Sequence, residues 1–295
     1  MKKLYLIYNP HGGLKKGKHI LKKVIPIFED AKKELTILES KYAGHIYDYA
    51  QELEFDGFDG LCIIGGDGTM HEAINGMLKR KDRKRLPIGL ITGGTGNSFM
   101  HDMNCLDPVK AAQKIVKGNL KKIDIAKINT ENHFYYSFNL IGWGVPTDSN
   151  ILAEKLRWLG GARYSISAIL EVIKGRNRLA KIICDGVVYE DNYTFIIGCN
   201  TVHVGKGMKM APKALVDDGK LDLIIVKKVN RLKLLLLFPK LFKGTHIKSP
   251  LVEYLQVKEF SIIPKIKNGL NIDGEMKGFT PAHVKIKKGK INIFS

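Results

Sequence analysis

The stretch Leu61-Cys62-Ile63-Ile64-Gly65-Gly66-Asp67-Gly68-Thr69-Met70-His71-Glu72-Ala73-Ile74-Asn75-Gly76 decides the fold. Residues 61–64 form a short unbroken apolar run, the pattern of a strand buried on both faces. A glycine-rich turn follows at once. Met70, Ala73, Ile74, Met77 and Leu78 then fall at i, i+3, i+4, i+7 and i+8, one face of a helix. Thr69 and Glu72 have the T-x-x-E spacing of a capping box at its start.

The same strand–loop–helix grammar repeats on both sides of this stretch. Strands are predicted at residues 4–8, 34–38 and 87–91, and helices at 15–28, 44–53 and 108–116. Alternating β and α units imply a doubly wound parallel sheet over residues 1–125. Beyond residue 125 strand-like runs dominate, at 134–141, 181–184, 193–198, 221–226, 257–263 and 284–293. One helical stretch, 151 to about 174, interrupts them. The expected architecture is therefore α/β: a parallel-sheet N-terminal domain, then a mainly antiparallel β domain over 126–295. The C-terminal tail has room to pack back on the first domain.

The chain has 295 residues with 48 basic and 29 acidic side chains, a net charge of +19. Hydrophobic residues make up 44%, a globular proportion that excludes wholesale disorder. No apolar run reaches 18 residues, so no bilayer-spanning helix is expected. The N-terminal apolar run is too short for a signal peptide and lacks a small-residue cleavage site. Cys62, Cys105, Cys184 and Cys199 are far apart and form no C-x-x-C pair, which favours a reducing cytoplasm over a disulfide framework or zinc site. The charge excess is uneven: residues 1–125 carry 21 − 15 = +6 and residues 126–295 carry 27 − 14 = +13.

Three glycine loops each follow a predicted strand: Asn9-Pro10-His11-Gly12-Gly13, Gly65-Gly66-Asp67-Gly68-Thr69 and Gly93-Gly94-Thr95-Gly96-Asn97. In a doubly wound sheet such loops gather at the carboxyl ends of the strands, where ligands sit. Glycine lets the backbone approach a phosphate and aim N–H groups at it, and a helix start adds its positive dipole end. Asp67 would repel a phosphate unless a cation lay between them, and Mg²⁺ supplies one. Gly12 and Gly17-Lys18 mimic a P-loop, but His19 stands where that motif needs a hydroxyl. No loop carries a full G-x-G-x-x-G, so a dinucleotide fingerprint is not supported.

Together these loops resemble the diacylglycerol kinase catalytic family, which includes bacterial lipid kinases, sphingosine kinases and ceramide kinases. The stretch from Gly66 to Gly76 looks like its sphingosine/ceramide branch. So does Glu154-Lys155-Leu156-Arg157-Trp158-Leu159-Gly160-Gly161-Ala162-Arg163-Tyr164. Near the end, Asn271-Ile272-Asp273-Gly274-Glu275 resembles the family's D-G-E motif. The motifs occur in the expected order over nearly the whole chain.

The resemblance implies an ATP- and Mg²⁺-dependent lipid kinase. Asn9, Pro10, His11, Gly12 and Gly13 would line the ATP phosphates, as would Gly65, Gly66, Asp67, Gly68, Thr69, Met70 and His71. Ser40 and Thr95 would contact the nucleotide. Asp67 would organise catalytic Mg²⁺, joined through water by Asp124. Arg163 would reach the ATP phosphates, with Arg157 as helper. Asp273 and Glu275 would carry the general base, and either can take the proton. Leu215, Asp218 and Lys220 fall where bacterial members bind a second, structural Mg²⁺. Asp148 stands where sphingosine kinases recognise the lipid amine; here it either binds an amine or hydroxyl, or caps the following helix. Read without the family, Asp273-Gly274 is a type I′ hairpin turn.

Leu232 to Phe242 is an apolar run broken by Pro239 and flanked by Arg231 and Lys243. It either dips into a leaflet or lines a buried core. The basic C-terminal part suits an anionic membrane surface, each basic group gaining about 1 kcal/mol there. The expected protein is thus cytoplasmic and peripherally membrane-associated. Helix-turn-helix, RNP and zinc-finger features are missing, which argues against nucleic acid. The six basic residues of 79–85 read as a solvated loop. An NAD kinase shares the G-G-D-G-T loop and is the alternative enzyme. A non-enzymatic nucleotide- or nucleic-acid-binding module is the alternative outside enzymes. Oligomeric state is not readable.

Overall fold

The computed structural model describes residues 2–10, 12, 16–205 and 207–295. The chain divides into two compact units, Met1–Ile123 with Gly289–Ser295, and Asp124–Lys288.

The first unit holds strands β1 (Lys3–Tyr8), β2 (Glu34–Glu39), β3 (Gly60–Gly65) and β4 (Ile88–Thr92). Its helices are α1 (Gly17–Asp30), α2 (His45–Glu52), α3 (Asp67–Leu78), α4 (Ser98–Asp102) and α5 (Pro108–Lys117). The strands lie side by side as β2-β1-β3-β4, all parallel. Near the chain's end, Ile293 pairs in parallel with Ile88 of β4. Every residue of β3 is buried, as its apolar run requires. The order reverses between β1 and β3, and loops one and two leave the sheet on either side of that reversal. Sequence grammar is clearest at α5: Asp107 accepts from the Val109 N–H at 2.9 Å, Pro108 opens the first turn, and Gly118 closes the helix at φ 78°.

Two expectations for this unit change. Helix α3 starts at Asp67, with Gly66 as its N-cap, so Thr69 and Glu72 form no capping box. Thr69 lies inside the first turn, packed where a Cβ on Gly65 would overlap it. Glu72 instead accepts from the Gly44 N–H at 3.2 Å. The basic 79–85 stretch is not wholly solvated either, because the Arg80 side chain is only 5% exposed. Its guanidinium donates to the carbonyls of Ala50, Gln51 and Leu53 at 3.3, 3.1 and 2.8 Å, the end of α2.

The second unit takes over within β5 (Leu120–Thr130) and continues through β6 (Phe134–Ser137), β7 (Leu140–Gly144) and α6 (Val145–Lys155). A 3₁₀ turn (Arg157–Ala162) leads to α7 (Arg163–Lys174), β8 (Arg178–Cys184) and β9 (Val187–Cys199). The short pair β10 (His203–Val204) and β11 (Met208–Lys209) precedes β12 (Leu221–Lys227), α8 (Arg231–Leu235) and α9 (Phe238–Lys243). A 3₁₀ turn at Thr245–Lys248 then leads to β13 (Glu253–Val257), β14 (Glu259–Pro264), β15 (Gly269–Ile272), β16 (Glu275–Phe279) and β17 (Ala282–Phe294), which leaves the unit at residue 288.

The strand pairs within this unit are antiparallel. The first half of β9 pairs with β8, and its second half lies between β7 and β12. Further pairs join β12 to β13, β8 to β14, β14 to β17, β7 to β15 and β15 to β16. Trp143, Tyr193, Phe260 and alternate aliphatics of these strands form the core. The chain is α/β, with a parallel-sheet N-terminal unit and an antiparallel β C-terminal unit.

Three runs read as continuous are interrupted, each for an identifiable physical reason. The 134–141 run splits into β6 and β7 because the N–H groups of Phe138, Asn139 and Leu140 turn to Asp273. The 257–263 run splits after Val257 because Lys258 and Glu259 donate their N–H groups to Asp185 at 3.0 Å. The 151–174 helix begins earlier, at Val145, and breaks at the 3₁₀ turn that contains Gly160 and Gly161. Two adjacent glycines cost helix stability of about 1 kcal/mol each.

Candidate active site

At the carboxyl ends of β1, β3 and β4 the backbone itself is tied together. Asn9 donates its N–H to Ile64 O at 3.3 Å, Ser40 to Tyr8 O at 3.0 Å, and Gly93 to Gly65 O at 2.7 Å. Loops two and three meet at glycines: a Cβ on Gly66 would lie 2.8 Å from the Gly94 Cα. Any side chain there would push the loops apart, so packing as well as ligand approach requires glycine. Asn97, at φ 49°, closes loop three, with Oδ1 accepting from Gly94 N–H at 3.1 Å and Nδ2 donating to Gly94 O at 2.9 Å.

Asp67 is the first residue of α3. Its Oδ2 accepts from Ser98 N–H at 2.8 Å and its Oδ1 from Phe99 N–H at 3.2 Å. The carboxylate therefore holds the start of α4, and with it loop three, against loop two. Magnesium is commonly bound through one or two carboxylates plus substrate phosphates, and a hard-oxygen donor such as Asp67 fits it.

The remaining candidates of this unit differ in what they expose. Thr95 is exposed, and Asn9, Pro10, Gly12, Gly66 and Gly68 are half-buried. Gly65, Ser40, Thr69, Met70 and His71 are buried. Met70 enters the core, and His71 lies beside the Asn75 amide, 3.4 Å from its Nε2. Neither side chain is exposed. His11 and Gly13 lie outside the described residues.

In the second unit the D-G-E motif is a tight turn. Asp273 and Gly274 have φ 52° and 92°, the two positive values a type I′ hairpin demands. The Asp273 carboxylate is 6% exposed and heavily bonded. Its Oδ1 accepts from Ser137 Oγ at 2.6 Å, Asn139 N–H at 3.0 Å and Leu140 N–H at 3.1 Å; Oδ2 accepts from Phe138 N–H at 3.3 Å. Glu275, two residues on, is exposed at the start of β16. Asn150 of α6 donates to Gly274 O at 2.8 Å, and Gly274 N–H donates to Asn271 Oδ1 at 2.9 Å. The turn is thus held from both sides.

Asp148 lies within α6, whose N-cap is Gly144, so it does not cap the helix. Its Oδ2 accepts from Arg178 at 2.6 Å, and the Arg178 guanidinium stands 5.9 Å from the Trp143 ring centre. Arg163 opens α7 with its guanidinium 3.6 Å from Glu154 Oε1. Arg157 begins the 3₁₀ turn, and its side chain lies outside the described atoms.

Asp124 is fully buried in the second unit. It accepts from Gly219 N–H at 2.6 Å, and its own N–H donates to Val216 O at 2.7 Å. It therefore braces the 215–220 loop. In that loop Leu215 is exposed and Asp218 Oδ1 accepts from Lys220 N–H at 2.9 Å. Among the described residues no group of three His, Cys, Asp or Glu side chains is placed to hold a metal. The Asp218 carboxylate is a hard oxygen donor, the chemistry that magnesium takes.

Several polar residues behind these motifs escaped the sequence reading. Asn200 donates to Asp124 O and Phe138 O at 2.9 and 3.1 Å, and Thr201 donates to Asn139 Oδ1 at 2.7 Å. Asp222, 1% exposed, accepts from Tyr254 OH at 2.6 Å and Gln256 Nε2 at 3.2 Å. Burial pushes its carboxyl up, against those two hydrogen bonds. The available signal was a polar residue inside an apolar strand run, as at Ser137, Asn139 and Asp222.

Comparison with known proteins agrees with this geometry. Residues 3–128 match the diacylglycerol kinase catalytic domain, and residues 139–295 match the YegS C-terminal NAD kinase beta sandwich-like domain. Sphingosine kinase 1 of Arabidopsis thaliana is 31% identical over 89% of this chain, which spans 64% of that protein's length. The diacylglycerol kinase of Staphylococcus carnosus is 31% identical over 100% of this chain and 95% of its own. A crystal structure of a Bacillus anthracis diacylglycerol kinase superposes with a TM-score of 0.81 at 27% identity, covering 99% of this chain and 96% of that one. An NAD kinase of Archaeoglobus fulgidus, 12% identical with a TM-score of 0.53 over 99% of this chain and 93% of its own, shares the fold alone. Glycine loops on a parallel sheet, the D-G-E turn on an antiparallel one and these matches along the whole length agree: the chain belongs to the diacylglycerol kinase catalytic family.

Proposed function

We propose that the chain is an ATP-dependent lipid kinase that phosphorylates the hydroxyl of a diacylglycerol, sphingoid or ceramide lipid. The observation that carries this reading is the D-G-E turn, where one carboxylate is buried and bonded and the next is exposed. Asp273 fixes the turn and Glu275 takes the proton of the lipid hydroxyl. That oxygen forms its bond to the γ-phosphorus while the bond to the β-phosphate bridging oxygen breaks, and ADP leaves.

In the first unit the loops at Asn9–Gly13, Gly65–Thr69 and Thr95 hold the ATP phosphates, with the α3 N-terminus adding its dipole. Ser40 contributes through its backbone at the end of β2. Asp67 would hold Mg²⁺, which would supply charge neutralisation at the phosphates. Asp124 braces the 215–220 loop, where Leu215, Asp218 and Lys220 would supply oxygens for a second ion. Arg163, with Arg157, clamps phosphate oxygens in a fork geometry. Asp148, held by Arg178, is available to a polar group of the lipid head. The enzyme works as a peripheral protein on an anionic membrane in the cytoplasm and takes part in phospholipid metabolism.

The test is transfer from labelled ATP to a lipid panel and to NAD, with wild type and Asp67→Ala. Labelled lipid that disappears in the variant supports the reading. Transfer to NAD alone replaces it with an NAD kinase, and ATP binding without transfer replaces it with a nucleotide-binding module.

A further inference from the structure

The second unit carries an apolar face that its core does not use. On α7, Ile166, Leu170 and Ile173 are 36%, 40% and 47% exposed. Their spacing of four and three residues puts them in one stripe. On α8, Leu232 and the C-cap Leu236 are 72% and 70% exposed, while Leu234 and Leu237 are buried beneath them. Helices α7 and α8 are in contact, and Ile173 and Leu232 line the same open groove of about 480 Å³. Two amphipathic helices thus turn their spare apolar sides to one shared place.

The groove itself is cationic. Lys228 and Arg231 line it, beside Asn177 and Asn230, and no acidic residue does so among the described residues. Arg231 lies against the end of α7: its guanidinium stands where a Cβ on Gly175 would overlap it, at the left-handed C-cap of that helix. A cation at a helix C-terminus is favoured by the helix dipole. Lys233, Lys240 and Lys243 continue the positive charge along α8 and α9. Exposed leucines beside a cationic groove match a leaflet whose surface is anionic and whose interior is apolar.

We propose that the α7–α8 face is the surface with which this chain docks on an anionic bilayer, its leucines entering the leaflet and its basic groove taking a phospholipid headgroup. This deepens the membrane reading above and rests on it only for the biological setting.

The test is sedimentation of the full chain, without ATP, with vesicles of phosphatidylcholine alone or mixed with phosphatidylglycerol. The wild type is expected to sediment with the mixed vesicles and to remain in solution with the neutral ones. Lys228→Glu with Arg231→Glu should weaken binding about tenfold or more. Leu232→Asp with Leu236→Asp should weaken it similarly, and provides a second reading should the first pair fail to fold. Lys22→Glu with Lys23→Glu, an equal charge change on α1, should leave binding unchanged. Equal sedimentation with both vesicle types, wild-type binding by both patch variants, or an equal loss in the α1 control each overturns the proposal. Transfer to lipid presented in detergent micelles, read in parallel, tests the kinase reading separately, because it needs no docking.

Discussion

Asp273 and Glu275 show how much one motif leaves undecided until its neighbours are seen. The sequence presents two acids two positions apart, and the fold assigns them different surroundings. Four donors converge on Asp273. An amide there would turn an NH₂ toward one of them, so Asp273→Asn should destabilise the protein by about 1–3 kcal/mol in urea titrations. Glu275→Gln removes an exposed carboxylate, so its stability should stay within about 0.5 kcal/mol. Its single-turnover rate should nevertheless fall about a hundredfold or more with nucleotide binding unchanged. Normal turnover in Glu275→Gln would remove it from the base role. A second residue-scale prediction concerns Tyr8, whose phenol donates to Glu39 at the carboxyl ends of β1 and β2. That bond, then burial, pushes the phenol up to about 12. The folded value lies above the ordinary one near 10, so the pair's stability is complete below about pH 10. It is lost as pH rises through about 12. The phenolate absorbance of wild type minus Tyr8→Phe should therefore appear near pH 12, and nearer 10 in a Glu39→Ala background.

At the scale of elements, strands and helices with a plain period were legible, and the exceptions share one physical origin. The buried run of β3, the amphipathic face of α3 and the capped α5 follow from local pattern alone. The breaks at 138–139 and 258 do not, because they are made by carboxylates distant in sequence, Asp273 and Asp185, that draw N–H groups out of a ladder. The start of α3 differs for a related reason: T-x-x-E predicts a cap at Thr69, but Glu72 accepts from the distant Gly44 N–H and the helix starts at Asp67. Arg80 belongs here too. A basic cluster reads as solvent-facing, yet this guanidinium closes the carbonyl end of α2 and lies 3.8 Å from the Phe55 ring centre. Arg80→Met should leave those carbonyls unpaired and cost about 1–3 kcal/mol by thermal or urea unfolding. The Arg80 hydrogen bonds hold the Asp82 carboxyl down to about 2. Its folded value lies below the ordinary one near 4, so the pair's stability is complete above about pH 4. It is lost as pH falls through about 2. The difference in unfolding midpoint between wild type and Asp82→Asn should shrink over that window; a difference independent of pH would mean the pair contributes nothing.

For the whole molecule, the +19 charge and the four cysteines both speak, as sequence, of the protein's surroundings, and the fold gives them different weight. The excess charge gains a place where it meets exposed leucines on α7 and α8, although most basic residues lie elsewhere on the surface. The cysteines bear on packing. All four are buried thiols outside any disulfide, Cys62 and Cys105 in the first unit, Cys184 and Cys199 in the second. Burial pushes the Cys62 thiol up to about 12; burial first, then Asp185 and Glu253, pushes Cys184 up to about 11. Since the thiolate is the reacting form, both groups are doubly protected at pH 8, by lack of access and by lack of ionisation. Each unit thus contains its own buried reporters of core integrity. Ellman's reagent at pH 8 should label no thiol of the native chain within minutes, and all four after guanidinium unfolding. Prompt labelling of two in the native state would mean that one of the two cores opens readily, and cysteine-to-serine variants would show which.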